Sequence, residues 1–346
     1  MYSFRNDYSE GAHPKVLQAL ADTNLVQTVG YGTDPLCKTA RDTVRRLCNA
    51  PQADVHFLVG GTQTNLLVIE SLLRPYEAVI GAHTSHINTH ETGAIEATGH
   101  KVCSIYAPNG KLTPALVETV LAEHNGTEHM VAPKMVYVSD TTEIGTIYTK
   151  SELTALRACC DAHGLFLFLD GARLGSALTS PDNDLTLPDL AALTDAFYIG
   201  GTKNGALFGE ALVMNTPNDH FRWHMKQRGA MLAKGRLLGV QFQALLEDGL
   251  YFDMARHAND MAFRLRDGVA ALGYPFPVPS PSNQQFPVLP NTVMEQLRSM
   301  GYEFEIDRPA DPDHPIVRFV TSWATPENAI DQFLKDLAAC KSSDTT

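Results

Sequence analysis

Lys203 stands between glycine pairs in YIGGTKNGALFGE (198–210), directly after an apolar run. A tight turn is a poor place for a lysine unless its amine has chemistry to perform there. Two other polar clusters also follow apolar runs: LVGGTQTN (58–65) and FLDGARLG (168–175). In the first, Gly60, Gly61 and Thr62 precede a helix-like segment, where glycines let backbone N–H groups close on an anion such as a phosphate. In the second, Asp170 ends an apolar run and Arg173 follows within the same turn. Each cluster alone reads equally well as a strand-to-helix turn, and Asp170 as a turn residue. None fits the spacing of a P-loop or of a dinucleotide fingerprint.

The order of the clusters says more than any one of them. A phosphate cradle comes first, then a carboxylate at a strand end, then a lysine after the next strand. Pyridoxal phosphate requires this set: an amine for its aldehyde, a carboxylate to keep the pyridine nitrogen protonated, and donors for its phosphate.

These residues must be held at the ends of strands. Short apolar runs at 55–59, 78–80, 102–106, 135–139, 165–169 and 196–199 alternate with helix-like segments such as 64–73 and 151–163. That alternation predicts an α/β fold with a mostly parallel sheet covered on both faces, which binds ligands at the carboxyl ends of its strands. From about 237 a long helical stretch leads towards Leu272. A Pro-rich segment follows, then strand-like PVLP, a helix over 291–300, strand-like YEFEI and IVRFVTSW, and a final helix from near Pro326. The expected division is an N-terminal arm and helical segment (1–50), a large α/β domain (51–245) and a smaller α+β domain (246–346).

Composition sets the outer bounds. The chain has 346 residues and a net charge of −12, which disfavours nucleic acid and anionic membrane surfaces as partners. It has no apolar run of membrane-spanning length, and the N-terminus lacks the apolar region of a signal peptide. The six cysteines form no C-x-x-C pair, so neither a disulfide framework nor a zinc knuckle is expected, and a cytoplasmic location fits.

DGARLG and GGTKNGALFGEAL, together with GGTQTN, HINTHETGA and TTEIGTIYT, resemble the threonine aldolase and β-eliminating lyase family, and the similarity runs from FRNDYSEG to VRFVTSW. The resemblance implies fold type I of the pyridoxal-phosphate enzymes, the aspartate-aminotransferase-like fold with a seven-stranded sheet. It implies that Lys203 holds the cofactor aldehyde, that Asp170 faces the pyridine nitrogen and that His86 stacks on the ring. Arg173 would lie near the substrate carboxylate or the ring oxygen. Gly61, Thr62 and Thr202 would meet the phosphate. Arg318, an arginine in an apolar strand, matches the family's carboxylate-binding arginine. The small polar substrate contact of the N-terminal arm falls on Asn6, Asp7 or Ser9, and Ser9 is the expected one. The segment WHMKQRGAMLAKGR resembles one that reaches a neighbouring subunit's site. A homodimer or homotetramer with sites at the interface is therefore implied, with Lys226 and Lys234 as phosphate contacts from the partner; a solvated basic helix face is the alternative.

One departure stands out. Many members carry a histidine where this chain has Glu143, in TTEIG; a branch similar to low-specificity threonine and phenylserine aldolases shares the T-E-x-G form. The implied reaction is retro-aldol cleavage of a β-hydroxy-α-amino acid (L-threonine, L-allo-threonine or phenylserine) to glycine and an aldehyde. Glu143 or His86 would take the β-hydroxyl proton. β-Elimination from another amino acid, and a binding protein that has lost activity, are the alternatives. A rival reading places His83, His86 and His90 on one helix face as zinc ligands; no carboxylate or cysteine motif supports it, and no metal is expected.

Overall fold

The apolar runs of the middle of the chain pair into one seven-stranded sheet. In a computed structural model, which describes residues 2–124, 126–308 and 313–343, the strands are β1 (Asp54–Leu58), β2 (Glu77–Ala82), β3 (Val102–Ile105), β4 (Ala132–Ser139), β5 (Phe166–Asp170), β6 (Ala196–Gly200) and β7 (Glu210–Met214). Their order is β1-β7-β6-β5-β4-β2-β3. The five strands from β6 to β3 run parallel, while β7 is antiparallel to both β6 and β1. The mostly parallel sheet expected from the sequence is therefore present, with β7 as the exception. That strand lies only nine residues beyond β6 in the chain, behind the Lys203 loop, too close for the helical crossover that a parallel neighbour needs.

Because strand side chains alternate between faces, each strand feeds two cores. Val136, Val138, Leu167, Leu169, Phe197 and Ile199 pack with Leu153, Leu156 and Phe242 from helices on one side. Tyr137, Phe168 and Tyr198 pack with Leu67, Val68 and Phe221 on the other. By the same alternation Ser139, Asp170 and Gly200 turn to the second side, towards helix Gly61–Leu72. Hydrophobic burial of the strand interiors thus decides which side the polar strand ends face.

A second, antiparallel sheet forms later in the chain from β8 (Gln284–Gln285), β9 (Glu305–Arg308) and β10 (Ile316–Val320), in the order β8-β10-β9. It packs with helices Leu250–Ala271, Asn291–Ser299 and Glu327–Ser343 around a core containing Phe319, Phe333 and Leu297. Two local expectations change. The helical stretch from 237 breaks at Asp248 (φ 57°) and Gly249 (φ 74°), giving helices Arg236–Leu246 and Leu250–Ala271. PVLP supplies only a lone bridge from Val288 to Ile316, since its flanking prolines cannot donate to a ladder.

The N-terminal arm touches both sheets' surroundings. Phe4 is fully buried in the core of the antiparallel sheet and exchanges backbone bonds with Glu303 and Val320. Helix Pro35–Leu47 crosses helix Arg236–Leu246 so closely that a Cβ on Gly239 would lie 2.7 Å from Cys37. Among the described residues no helix is long and apolar enough to cross a membrane.

Asp140, just past β4, is 1% exposed, and its carboxyl accepts one N–H, from Tyr148 at 3.3 Å. Burial pushes its pKa up to about 7, against the Tyr148 N–H and the Lys111 charge, with Glu152 adding to the rise. A carboxyl whose folded pKa is raised contributes stability below its unfolded pKa and loses that contribution as pH climbs through the folded value. Asp140→Asn removes this ionisation while keeping an acceptor for Tyr148. The melting temperature of the variant relative to the parent should therefore rise between pH 5 and pH 8; thermal unfolding at the two pH values measures it.

Candidate active site

The exits of β5 and β6 meet with no room for a side chain. The Gly200 N–H donates to the Gly171 carbonyl at 3.0 Å. A Cβ on Gly171 would sit 1.8 Å from the Tyr198 carbonyl oxygen, and one on Gly200 2.5 Å from that of Ala172. This close approach, which only glycine permits, sets the turns carrying Asp170 and Lys203 side by side at a cavity of about 280 Å³ lined by both residues. The Lys203 loop is then fastened on each side. Thr202 Oγ1 accepts the Gly209 N–H at 2.9 Å and donates to Glu210 at 2.9 Å, while Asn204 donates to the Tyr251 carbonyl at 2.8 Å.

Among the described residues the Lys203 amine has no hydrogen-bond or ion-pair partner. Burial and the neighbouring Arg173 charge lower its pKa, with Asp7, Asp170 and Glu210 acting in the opposite sense. A lysine so placed is a better nucleophile at neutral pH than an exposed one. Asp170 shows the reverse behaviour. Burial would raise its pKa, but the His86 imidazole, the phenols of Tyr137 and Tyr198 and the Ala172 N–H outweigh it, so the carboxyl lies below its ordinary value. The Asn65 amide also donates to Asp170, at 3.1 Å, and the Tyr137 hydroxyl does so from β4.

His86 and Glu143 line the same cavity. The His86 N–H donates to Glu143 Oε1 at 2.9 Å, and the Ser139 hydroxyl donates to the same oxygen at 2.7 Å. Burial raises the Glu143 pKa in spite of these donors and of its own backbone N–H, and Asp170 adds to the rise. The His86 ring holds Glu91 through Nδ1 at 2.8 Å, and Asn65 joins Glu91 (2.7 Å) to the Asp170 group. The Glu91 side chain is fully buried, so an unbroken polar chain runs from His86 to Asp170.

Gly60, Gly61 and Thr62 line the same cavity at the N-terminus of helix Gly61–Leu72, which no side chain caps. Its first N–H groups are therefore available to an anion. Arg173 lines the cavity too, but its fork is taken by Asp7, with contacts of 2.8 and 3.1 Å. Burial would raise the Asp7 pKa; the Arg173 and Lys203 charges and hydrogen bonds from Arg173 and Asn283 hold it low. Arg318, on β10, lies close enough to Arg173 for each charge to oppose the other, and burial with that opposition lowers its pKa. Its Nε is buried without a partner.

Other expected residues lie apart. The Ser9 hydroxyl donates to Asn6 Oδ1 at 3.0 Å near the surface, and the arm residues that reach the site are Asp7 and Tyr8. Lys226 sits 4.8 Å over the Tyr31 ring and Lys234 is exposed; neither lines this chain's own cavity, and the contact expected of them is with a partner subunit's. The three histidines do not converge, because His83 precedes the short helix His86–Thr89 and accepts the Ala107 N–H. A group with metal-ligand geometry among the described residues, Glu118, Cys159 and His163, lies elsewhere, between helices Pro114–Glu123 and Lys150–His163. Asn65, Glu91, Tyr137 and Glu210 were not singled out from the sequence. Asn65 and Glu91 lie inside GGTQTN and HINTHETGA, and Tyr137 shares the strand parity of Ser139.

The model of the β-eliminating lyase family matches residues 4–291. A low-specificity L-threonine aldolase of a Pseudomonas species is 32% identical over 98% of each chain. A structure of Leishmania major threonine aldolase superposes with a TM-score of 0.96 at 51% identity, covering 98% of this chain and 99% of that one. An aspartate aminotransferase of Thermus thermophilus, 16% identical, superposes with a TM-score of 0.73 over 98% of this chain and 91% of its own, which shows the shared fold.

Asp7 is 1% exposed and pairs bidentately with Arg173. Asp7→Ala would leave a largely buried guanidinium uncompensated, a change that costs on the order of 3 kcal/mol. Asp7→Asn, which keeps an acceptor, should lose less. Denaturant titration of both variants gives the comparison.

Proposed function

The chain thus belongs to the β-eliminating lyase family, and we propose that it cleaves β-hydroxy-α-amino acids of the L-threonine type between Cα and Cβ, releasing glycine and an aldehyde. The observation that carries this reading is the convergence on one cavity of an unpartnered Lys203 amine, an ionised Asp170 and a Glu143 carboxyl with a raised pKa. The full-length similarity to threonine aldolases supports the same reaction.

Pyridoxal phosphate fits the donor set of the cavity. Lys203 would hold its aldehyde, Asp170 its pyridine nitrogen, and the uncapped helix end at Gly61 and Thr62, together with Thr202, its phosphate. When bound, that group would supply an aldehyde for the substrate amine and an electron sink for the pair left on Cα. The chain's own residues do the rest. Hydrogen bonds from Tyr137, Asn65 and Ala172 keep the Asp170 carboxylate charged despite its burial. Arg318, with its orphaned Nε, receives the substrate carboxylate beside Arg173, and this grip sets which bond at Cα is labile. His86, steadied by Glu91 and Glu143, flanks the reacting centre. Glu143 takes the β-hydroxyl proton, directly or through a water, as the hydroxyl becomes the aldehyde. Its raised pKa suits that role, since a base works best near the working pH.

Subunits pair through the surface that carries Lys226 and Lys234, in a homodimer or homotetramer. What supports this is a cluster of exposed apolar side chains on the arm and on helix Phe221–Gln227, including Leu25 (92% exposed) and Trp223 (75% exposed).

Purified protein with pyridoxal phosphate should convert L-threonine or L-allo-threonine to glycine and acetaldehyde; 2-oxobutyrate with ammonia would instead indicate β-elimination. Borohydride reduction should label the peptide holding Lys203, and a label on another lysine would overturn the site. Glu143→Gln should keep the cofactor and slow cleavage by roughly 10²–10⁴-fold; unaltered turnover would remove Glu143 from the reaction. Trp223→Glu should lower the assembly mass in sedimentation, and an unchanged mass would place the interface elsewhere.

A further inference from the structure

The antiparallel register of β6 and β7 sets Glu210 opposite Gly200, so its side chain lies on the cavity side, beneath the loop that carries Thr202 and Lys203. It is 3% exposed, and both of its oxygens are engaged by that loop: Oε2 accepts the Gly201 N–H at 3.1 Å and Oε1 meets the Thr202 hydroxyl at 2.9 Å. No step described above uses this carboxyl.

The hydroxyl of Thr202 has three near partners: the Gly209 N–H, Glu210 Oε1 and, at a marginal 3.5 Å, the Gly209 carbonyl. It has one proton and two lone pairs. One lone pair is taken by the Gly209 N–H at 2.9 Å. An ionised Glu210 only accepts, so it claims the Thr202 proton and leaves the hydroxyl nothing to donate into the cavity. A protonated Glu210 can donate to the second lone pair of Thr202, which frees the Thr202 proton to point at a ligand. An ionised carboxylate under the anion-binding end would also repel a phosphate directly.

We propose that Glu210 is a positioning residue for the phosphate end of the cavity: carrying a proton, it turns the Thr202 hydroxyl towards a phosphate ester, so binding of the ester at alkaline pH takes up one proton. The proposal rests on the reading of this cavity as a pyridoxal-phosphate site. The groups facing Glu210 agree with it. Burial pushes its carboxyl up to about 8 against the Thr202 hydroxyl, the Lys203 charge and the Gly201 N–H, and Asp170 on β5 adds to the rise. The other near groups, the phenols of Tyr198 on β6 and Tyr251 on helix Leu250–Ala271, are held neutral by burial.

The test uses the full chain stripped of cofactor and pyridoxine 5′-phosphate, which carries the ester but no aldehyde to react with Lys203. Pyridoxine without phosphate is the control. Calorimetry in buffers of different ionisation enthalpy reads affinity and proton uptake together. Affinity for the ester should fall by up to about tenfold per pH unit above about pH 8, with proton uptake in excess of that shown by pyridoxine, in which only the nitrogen facing Asp170 gains a proton. In Glu210→Gln the amide donates to Thr202 at every pH, so both the fall and the excess uptake should shrink to what Lys203 alone produces. Equal profiles in parent and variant would overturn the role of Glu210. Where Glu210→Gln does not fold, Lys203→Met decides: the uptake in excess of pyridoxine must persist with the amine removed, and its loss overturns the assignment. A parent chain that binds the ester at no pH would instead overturn the cofactor reading itself.

Discussion

The whole site hangs on the hydrogen bond between Gly200 and Gly171, made where two parallel strands leave the sheet and their turns touch backbone to backbone. Any Cβ at either position would force the turns apart. With the glycines in place, Asp170 and Lys203 are held by rigid strand ends rather than by the flexibility of their own side chains. The β6–β7 hairpin then closes over the lysine loop through Thr202, Gly209 and Glu210. A site that must hold charged groups at fixed separations in low dielectric gains from such a frame, since little reorganisation is left for the moment of reaction.

The second constraint is electrostatic. Asp7, Glu91, Asp170, Glu143 and Glu210 are carboxyls withdrawn from water around a single cavity and its walls, and Lys203, Arg173 and Arg318 are the cations among them. Desolvation acts against charge at Asp7, Asp170, Glu143, Glu210, Lys203 and Arg318. What separates them is the partner each one finds. Asp7 has a bidentate arginine and Asp170 has donors on both oxygens, so both remain ionised. Glu143 and Glu210 have hydroxyl and N–H donors too weak to offset burial, so their pKa values rise. Neighbouring carboxyls are thereby pushed towards opposite protonation states, the arrangement that lets one stay an anion while another exchanges a proton near neutral pH.

Much of this was legible in the chain. Alternation of short apolar runs with helical segments required a sheet covered on both faces. Polar, glycine-bearing clusters after those runs had to lie at the strands' carboxyl ends, which is why Lys203, Asp170, Gly61 and Thr62 share a cavity. These are consequences of local pattern: side-chain periodicity and the conformational freedom of glycine act within a few residues and can be read from them. Strand β7 escaped because its apolar run is interrupted by no helix from β6, and spacing alone does not tell a loop from a hairpin.

What the sequence by itself determined is therefore the class of the fold and which polar residues gather at its strand ends. The tertiary structure alone decided who neutralises whom. Nothing near Asp7 in the chain announces Arg173, nor does anything near Asn65 announce Glu91 and Asp170, because each pairing joins elements far apart in sequence. Ser9 and Asp7 look equally able to reach the site as letters; the arm's path turns Asp7 inward and ties Ser9 to Asn6. The protonation states follow from the same contacts. Charge in a protein interior is set by distances of a few ångströms and by the loss of water, and both come into being only when remote segments pack together.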